Sequence, residues 1–214
     1  MKLSEGLNVK PTEVKNIIFD WGGVITDLHI DSVILAFKNL GFHQFDKAFA
    51  HDADQNFFLR FETGKIKDVE FLKILHNHLN RDVTDLQILD AWNSILGDLP
   101  AERWTILNEV KKSYRTFLLS NTNSLHVSWY AQKLSKLYGR NGFEPLFEKI
   151  YYSHQLGMRK PDRNIYEFVL QDSRLEPAET LFIDDNPENV ATAAELGLKT
   201  VHLAPPVTLT DIFC

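Results

Sequence analysis

The segment IIFDWGGVITD, residues 17–27, joins a short apolar run to a carboxylate and a pair of glycines. The apolar run is typical of a strand that is buried on both faces, and Asp20 stands at its carboxyl end. Asp before Gly-Gly is common in turns, so Asp20 could simply open a turn. It could also belong to a functional site. The residues at the ends of the other predicted strands help to decide between these two roles.

Four further apolar runs are predicted to be strands, and most of them show little alternation of polar and apolar residues. The five predicted strands are residues 16–20, 116–120, 149–153, 180–184 and 199–203. Helical patterns follow the later strands, starting at Ser124, after Asp162 and after Asn186. Strand and helix in this alternation predict right-handed crossovers and a doubly wound, Rossmann-like α/β fold with five parallel core strands.

The first connection is too long for one crossover, because about 95 residues separate Asp20 from the second strand. Apolar residues recur there at helical spacing in four segments, 31–41, 52–64, 67–80 and 84–96. A fifth helix near 101–112 is predicted to lead back to the sheet. We therefore predict an α/β core of residues 1–27 and 101–214 with an inserted helical cap of residues 28–100. The aromatic residues of the insertion are expected to form the core of the cap.

Composition excludes several classes of protein. The formal charge of −6 and the absence of a run of Lys or Arg argue against a nucleic-acid partner. No apolar stretch approaches the roughly 20 residues that span a bilayer, so no membrane partner is expected. The first 15 residues are too polar for a secretory signal, and Cys214 is the only cysteine. These features favour a cytoplasmic location, and the sequence carries no signal for an oligomeric state.

In an open parallel sheet, ligands bind beyond the carboxyl ends of the strands where the strand order reverses. Polar groups occupy the corresponding places in this chain, namely Asp20, Ser120, Asn121, Lys160, Asp184 and Asp185. Each has an ordinary explanation by itself, such as a turn, a helix cap, an acid at a helix N-terminus or a surface lysine. Together they are harder to explain in that way, because three acids would converge.

Two carboxylates about 4 Å apart repel by roughly 4 kcal/mol at an effective dielectric near 20, so a cation is expected among them. Hard oxygen ligands suit Mg²⁺. A metal could hold one phosphate oxygen while Lys160 and the Ser120–Asn121 corner hold the others. An attack by Asp20 on phosphorus would then give an aspartyl phosphate.

Four motifs in order, IIFDWGGV, FLLSNTN, RKPDRNIY and FIDDNPEN, resemble those of the haloacid dehalogenase-like (HAD) hydrolase superfamily. The resemblance extends over nearly the whole chain, and the insertion resembles the helical cap of the first cap class. The segments FETGKIKDVEF, SNTNSLH and SHQLGMRKPDRNIY resemble the branch that includes sugar-phosphate phosphatases such as α-glucose-1-phosphatase.

The resemblance implies a role for each matched residue. Asp20 would be the nucleophile and a Mg²⁺ ligand, and the backbone carbonyl of Gly22 would be a second ligand. Asp185 would bind the metal directly, and Asp184 directly or through water. The phosphoryl group of a small phosphorylated metabolite would be bound by Ser120, the amide of Asn121 and Lys160.

Gly22 departs from the family pattern, because most phosphatases of the superfamily carry an acid/base Asp at this place. A positioned acid/base typically contributes about 10²–10⁴ in rate. One reading is a substrate with a good leaving group, such as a sugar 1-phosphate. A second is a substitute, with Asp27, His126 or a metal-bound water as candidates, and a third is loss of the chemistry. The sugar-phosphatase branch also carries Gly here, as DLGN, which favours the first two readings.

Three other functions share parts of this pattern. A 2-haloacid dehalogenase would need no metal, and the paired acids Asp184 and Asp185 argue against it. A phosphonate-cleaving relative has the similar motif DWAG, but it needs a cap lysine that cannot be assigned here. A catalytically silent binding protein is supported by Gly22. Of the remaining candidates, Asp27 is expected to be structural, and His154 is a weaker acid/base candidate than His126.

Overall fold

The fold was analysed in a computed structural model, which describes residues 2–4, 11–50, 56–80, 82–139 and 142–213. Five strands form one parallel sheet in the order β3-β2-β1-β4-β5. The strands are β1 Asn16–Phe19, β2 Arg115–Ser120, β3 Lys149–Tyr152, β4 Thr180–Asp184 and β5 Lys199–His202. Each agrees with its predicted range to within one residue at either end, and the predicted doubly wound parallel fold is confirmed.

Helices cover both faces of the sheet. They are α6 Ala101–Val110, α7 Ser124–Tyr138, α8 Ser153–Leu156, α9 Arg163–Ser173, α10 Pro187–Glu195 and α11 Leu209–Ile212, and α1 to α5 precede them in the insertion. Two separate clusters of buried apolar side chains lie against the sheet, one containing Phe19 and Leu118 and the other containing Ile18 and Phe117. Because neighbouring residues of a strand point to opposite faces, both faces of β1 and β2 are buried. This burial explains why the strands are apolar throughout.

The insertion after β1 is helical, as predicted. Its helices are α1 Ile30–Asn39, α2 Phe45–Ala50, α3 Phe57–Glu62, α4 Asp68–His76 and α5 Asp85–Asn93. The sequence did not predict α2, and the first part of the predicted helix 52–64 lies outside the described residues. A third apolar cluster belongs to these helices, and its aromatic rings pack closely, for example Phe37 on Phe45 with centroids 4.2 Å apart.

The insertion is joined to the sheet by two chain segments that run side by side. Leu28 and Leu96 form an antiparallel bridge, and the amide of His29 donates to the carbonyl of Ile95 at 2.8 Å. The amide of Gly97 donates to the carbonyl of Asp27 at 2.9 Å. On this basis we propose the boundaries predicted from the sequence, with a core of residues 1–27 and 101–214 and a cap of residues 28–100.

Among the described residues, no helix combines the length and the apolar character that crossing a bilayer requires.

Candidate active site

The carboxyl edge of the sheet brings the predicted polar groups together. Asp20 follows β1, Ser120 ends β2, and Asp184 ends β4, and these three strands are adjacent. From β1 the chain continues to β2 and β3 on one side of β1, and it then crosses to β4 and β5 on the other side. The strand order therefore reverses between β1 and β4. Ligands of open α/β sheets bind at this point.

Three carboxylates converge there. One oxygen from each of Asp20, Asp184 and Asp185 lies within 4.8 Å of the others. Asp184 is fully buried, and Asp20 is nearly so. Lys160, which is only 1% exposed, lies between two of them, with its Nζ 2.8 Å from Asp20 Oδ1 and 2.6 Å from Asp184 Oδ2. The structure therefore brings together four charged groups that the sequence singles out, although Asp20 and Asp184 are 164 positions apart in the chain.

Two acids of this cluster, Asp20 and Asp185, have a raised pKa and are less acidic than isolated carboxyls. Burial is the main cause that raises the pKa of Asp20 to about 7. Lys160 lowers this pKa, whereas Asp184 and Asp185 raise it. Burial and the neighbouring Asp184 also raise the pKa of Asp185. Burial lowers the pKa of Lys160, but the two carboxylates outweigh this effect and the pKa is raised overall. One lysine thus compensates three acids incompletely, and the cluster favours a further cation.

Hydrogen bonds hold Lys160 and Asp184 in place. The side chain of Asn121 clamps the backbone of Lys160, with Nδ2 donating to its carbonyl at 2.8 Å and Oδ1 accepting from its amide at 2.9 Å. Asp184 Oδ1 accepts from the backbone amide of Asn186 and from Asn189 Nδ2. The resemblance gave Asn121 a role through its backbone amide only, so this positioning function of its side chain was not predicted from the sequence.

Two glycines follow Asp20, and a side chain is excluded at each of them for a different reason. A Cβ on Gly22 would lie 2.8 Å from Cδ1 of Leu28, so the place of a side chain there is taken by the first residue of the insertion. Gly23 has a φ of 73°, and a Cβ on it would overlap the carboxylate of Asp185. Leu28 therefore fills the space that an acid/base Asp at position 22 would need.

We expect Gly22→Asp to destabilise the protein by about 1 kcal/mol, because the new side chain must displace the end of the Leu28 side chain, which is 37% exposed and can move. Leu28→Ala should relieve most of this loss in the double variant, with a coupling of at least ~0.5 kcal/mol. Urea unfolding of the two single variants and the double variant measures this coupling. Strictly additive losses would show that Leu28 does not occupy the space beside Gly22.

A cavity of about 170 Å³ lies next to Asp20, between the sheet edge and the insertion. One wall carries the polar edge residues, including Ser120 and Asp185. The opposite wall is largely apolar, with Leu28, Trp92 and further residues of the insertion. A second, larger and more polar cleft of about 660 Å³ adjoins it on the side of Lys160. The arrangement fits a reacting group at Asp20 and the remainder of a small molecule in the smaller cavity.

The candidate substitutes for the acid/base differ in their positions. Asp27 forms an ion pair with Arg103 at 2.8 Å and does not line the cavity. His154 lies 3.1 Å from the carbonyl oxygen of Thr122 and lines a different crevice. His126 does line the cavity. Burial lowers the pKa of His126 to about 3, so its ring is neutral and cannot act as an acid near pH 7.

Several residues of the site were not predicted from the sequence. Glu62 of α3 lines both cavities and forms an ion pair with Arg159 at 3.0 Å, which ties the insertion to the segment before Lys160. Trp92 was expected to be only part of the cap core, but it also lines the cavity and donates to Asn123 Oδ1 at 3.3 Å. No local pattern distinguishes such residues from other core aromatics or surface acids.

Comparisons with known proteins agree with this geometry. A family model described as haloacid dehalogenase-like hydrolase matches residues 14–197. D-ribitol-5-phosphate phosphatase of Bacteroides thetaiotaomicron is 34% identical over 187 residues, which is 87% of this chain and 90% of that protein. A sesquiterpene phosphatase of Aspergillus oryzae is 28% identical, with coverage of 90% and 91%.

A solved structure shows the same similarity in three dimensions. It is a HAD family enzyme of Bacteroides thetaiotaomicron in complex with magnesium and inorganic phosphate. Its TM-score to this chain is 0.84 and its sequence identity is 34%, and the match covers 92% of this chain and 98% of that chain.

Proposed function

The chain belongs to the haloacid dehalogenase-like hydrolase family, and from this we propose that it is a Mg²⁺-dependent phosphatase of small phosphorylated metabolites. The observation that carries the proposal is the cluster of Asp20, Asp184 and Asp185 around the buried Lys160. Such a cluster offers a nucleophile, a cation site and a positive group for phosphoryl oxygens. The relatives that bind phosphate or hydrolyse phosphate esters support the same assignment.

The residues of the cluster suit a divalent cation. Their donor atoms are hard carboxylate oxygens, which Mg²⁺ prefers. Burial and the neighbouring carboxylates raise the pKa values of Asp20 and Asp185 although Lys160 lowers them. Asp20, Asp185 and the carbonyl of Gly22 would hold the ion. Asp184 already accepts three hydrogen bonds, so we assign it a contribution through water. When bound, Mg²⁺ acts as a Lewis acid that neutralises charge on the phosphoryl group.

Asp20 is proposed to be the nucleophile. One of its carboxylate oxygens forms a bond to phosphorus while the bond between phosphorus and the ester oxygen breaks, which gives an aspartyl phosphate and an alcohol. Lys160 and Ser120 contact the phosphoryl oxygens and stabilise the charge that develops on them. Water then attacks phosphorus, the bond to Asp20 breaks, and orthophosphate leaves with the carboxylate restored.

The departing alkoxide takes a proton from water in this proposal, because none of the side chains considered as substitutes from the sequence can supply it. Leu28 fills the space beside Gly22, Asp27 is paired with Arg103, and His126 is neutral. Of the substitutes predicted from the sequence, only water therefore remains. The insertion covers the cavity, and this would compensate in part for the missing general acid, because electrostatic interactions strengthen where bulk water is excluded.

The volume of the cavity beside Asp20 favours a short alcohol. Its volume of about 170 Å³ holds about six water molecules at ~30 Å³ each. This volume is suited to a short sugar or polyol, as in the ribitol 5-phosphate of one relative, rather than to a C15 terpenoid, as in another. We therefore place the substrate among phosphorylated sugars and polyols.

The proposal is tested by phosphate release from a panel of sugar and polyol phosphates, nucleotides and acyl phosphates. We expect turnover of at least one sugar or polyol phosphate with Mg²⁺ and a loss of at least about 100-fold in EDTA, since the acids then lose their cation. Chloride release from a 2-haloacid that survives EDTA would identify a dehalogenase instead. No turnover of any ester by folded protein that Mg²⁺ stabilises against heat would identify a binding protein.

A further inference from the structure

His126 reaches the cavity beside Asp20 from the first turn of α7. It is buried, and its backbone amide donates to Asn123 Oδ1 at 3.1 Å. Its ring stacks on Trp92 with centroids 4.8 Å apart and planes 9° apart. The same Asn123 oxygen accepts from Trp92 Nε1, so a single side-chain oxygen links the indole to the backbone of His126. The imidazole is therefore rigidly placed in the wall of the cavity.

The hydrogen bonds of Asn93 determine which ring nitrogen carries the proton. Asn93 Nδ2 donates to the carbonyl oxygen of Leu89 at 2.8 Å, so the amide nitrogen must lie on that side. Its Oδ1 consequently faces His126, 3.0 Å from Nδ1. An amide oxygen only accepts, which requires the proton to be on Nδ1 and leaves Nε2 with a free lone pair.

Among the residues that the structure describes, no side chain or backbone group is hydrogen-bonded to the Nε2 atom. Within the residues that the structure describes, the only ring hydrogen bond of His126 is the one from Nδ1 to Asn93. His126 lines the same cavity as Asp20 and Ser120. Burial keeps the imidazole neutral, which makes Nε2 an uncharged acceptor in a largely apolar wall.

We propose that Nε2 of His126 accepts a hydrogen bond from a hydroxyl of the alcohol portion of the substrate, which makes His126 a specificity-determining residue for polyol and sugar phosphates. The proposal rests on the proposed phosphatase function. An apolar alcohol in the cavity would take water away from Nε2 without giving it a new donor, so such an alcohol is rejected in proportion to that loss.

The experiment compares D-ribitol 5-phosphate with pentyl phosphate, an ester of the same chain length without further hydroxyls. The wild-type protein should prefer the polyol ester, and His126→Phe should lower that ratio of kcat/KM by about 10- to 100-fold. Hydrolysis of pentyl phosphate should be unchanged or faster, because phenylalanine keeps the stacking on Trp92 and removes only the acceptor. A variant that merely disturbed the fold would lower both activities together.

Two further variants separate the contribution of the ring from general effects. Asn93→Leu keeps His126 but removes the acceptor that holds the ring proton on Nδ1. The ring can then adopt either tautomer, so part of the preference for the polyol ester should be lost. His76→Phe is the matched control, since His76 lies on α4, is paired with Asp85 at 2.6 Å and does not line the cavity. It should leave the ratio unchanged. Equal ratios in wild type and His126→Phe, with both esters hydrolysed, would overturn the inference while the phosphatase function stands.

A spectroscopic measurement tests the same inference without turnover. The ¹⁵N spectrum of the histidine rings in the Mg²⁺-treated protein identifies the protonated nitrogen of each ring, and the His126→Phe spectrum assigns the signal. We expect the proton on Nδ1, and a proton on Nε2 would overturn the inference. Absence of turnover of both esters by the wild-type protein would refute the phosphatase function itself and the specificity role with it.

Discussion

Asp20→Asn is expected to abolish hydrolysis, with a loss of about 10⁵-fold in kcat, while the protein remains folded. An amide does not form an acyl phosphate, so the covalent step is lost and only the binding groups remain. The substitution is nearly isosteric and keeps an oxygen that can accept from Lys160. Folding should therefore be preserved, which separates a chemical role of Asp20 from a structural one.

The same variant should change how stability depends on pH in EDTA. The folded-state pKa of Asp20 is about 7, above its ordinary value of 3.8. Between these values the folded protein holds a proton that the unfolded chain has released. The stabilisation is therefore complete below about pH 4 and is lost as the pH rises through 7. Asp20→Asn should flatten this decline, although Asp185 leaves part of it.

Phosphate release and urea unfolding between pH 5 and pH 8.5 measure the two effects. Asp98→Asn is a matched control, because Asp98 is exposed and pairs with Lys133 on the surface. Retention of wild-type kcat by Asp20→Asn would refute the aspartyl phosphate. An unchanged pH profile of stability would show that Asp20 is ionised in the folded protein well below pH 7.

Lys160→Met should cause the largest loss of stability among the site variants, about 3–5 kcal/mol in EDTA. Lys160 is 1% exposed and its Nζ contacts both Asp20 and Asp184, so its removal leaves two buried carboxylates without their compensating charge. Mg²⁺ should restore part of this stability, because the ion compensates the same acids. Activity with Mg²⁺ should fall by about 10²–10³-fold through loss of a phosphoryl contact.

Thermal and urea unfolding with and without Mg²⁺ provide the measurement. Lys149→Met is the control, since Lys149 pairs with Asp172 where both side chains are partly exposed, and its loss should cost less than about 1 kcal/mol. Equal losses for the two lysines would contradict the buried cluster. A variant at Lys160 that is stable in EDTA and gains nothing from Mg²⁺ would show that no cation is held beside it.

Much of the fold was predictable because burial on both faces leaves a strong local signal. Runs such as residues 180–184 are apolar throughout, and a helix start follows at Asn186, whose side chain caps α10 by accepting from Glu188. The helix α2 was missed because it has only six residues, too few to show a helical periodicity, and packing of Phe45 on Phe37 stabilises it. Tertiary contacts outweighed local preference there.

The site was predictable in part for the same reason. Groups that end strands, such as Asp20 and Asp184, must meet at one edge of a parallel sheet, and their sequence positions reveal this. Residues that reach the site from the insertion do not stand at strand ends, so their sequence positions do not indicate a role in the site. Trp92 and Glu62 belong to ordinary amphipathic helices in the sequence, and their contacts with Asn123 and Arg159 depend on how the insertion packs against the sheet.

The sequence by itself determined the parallel sheet, the acids at its carboxyl edge and the absence of a side chain at Gly22, because these follow from burial patterns and residue identity along the chain. Only the tertiary structure decided that Leu28 fills the space beside Gly22 and that Asn93 leaves Nε2 of His126 free to accept. Both depend on side chains from distant segments meeting at distances of about 3 Å. Hydrogen bonding and steric exclusion act only at such contact distances, and they are not encoded in local periodicity.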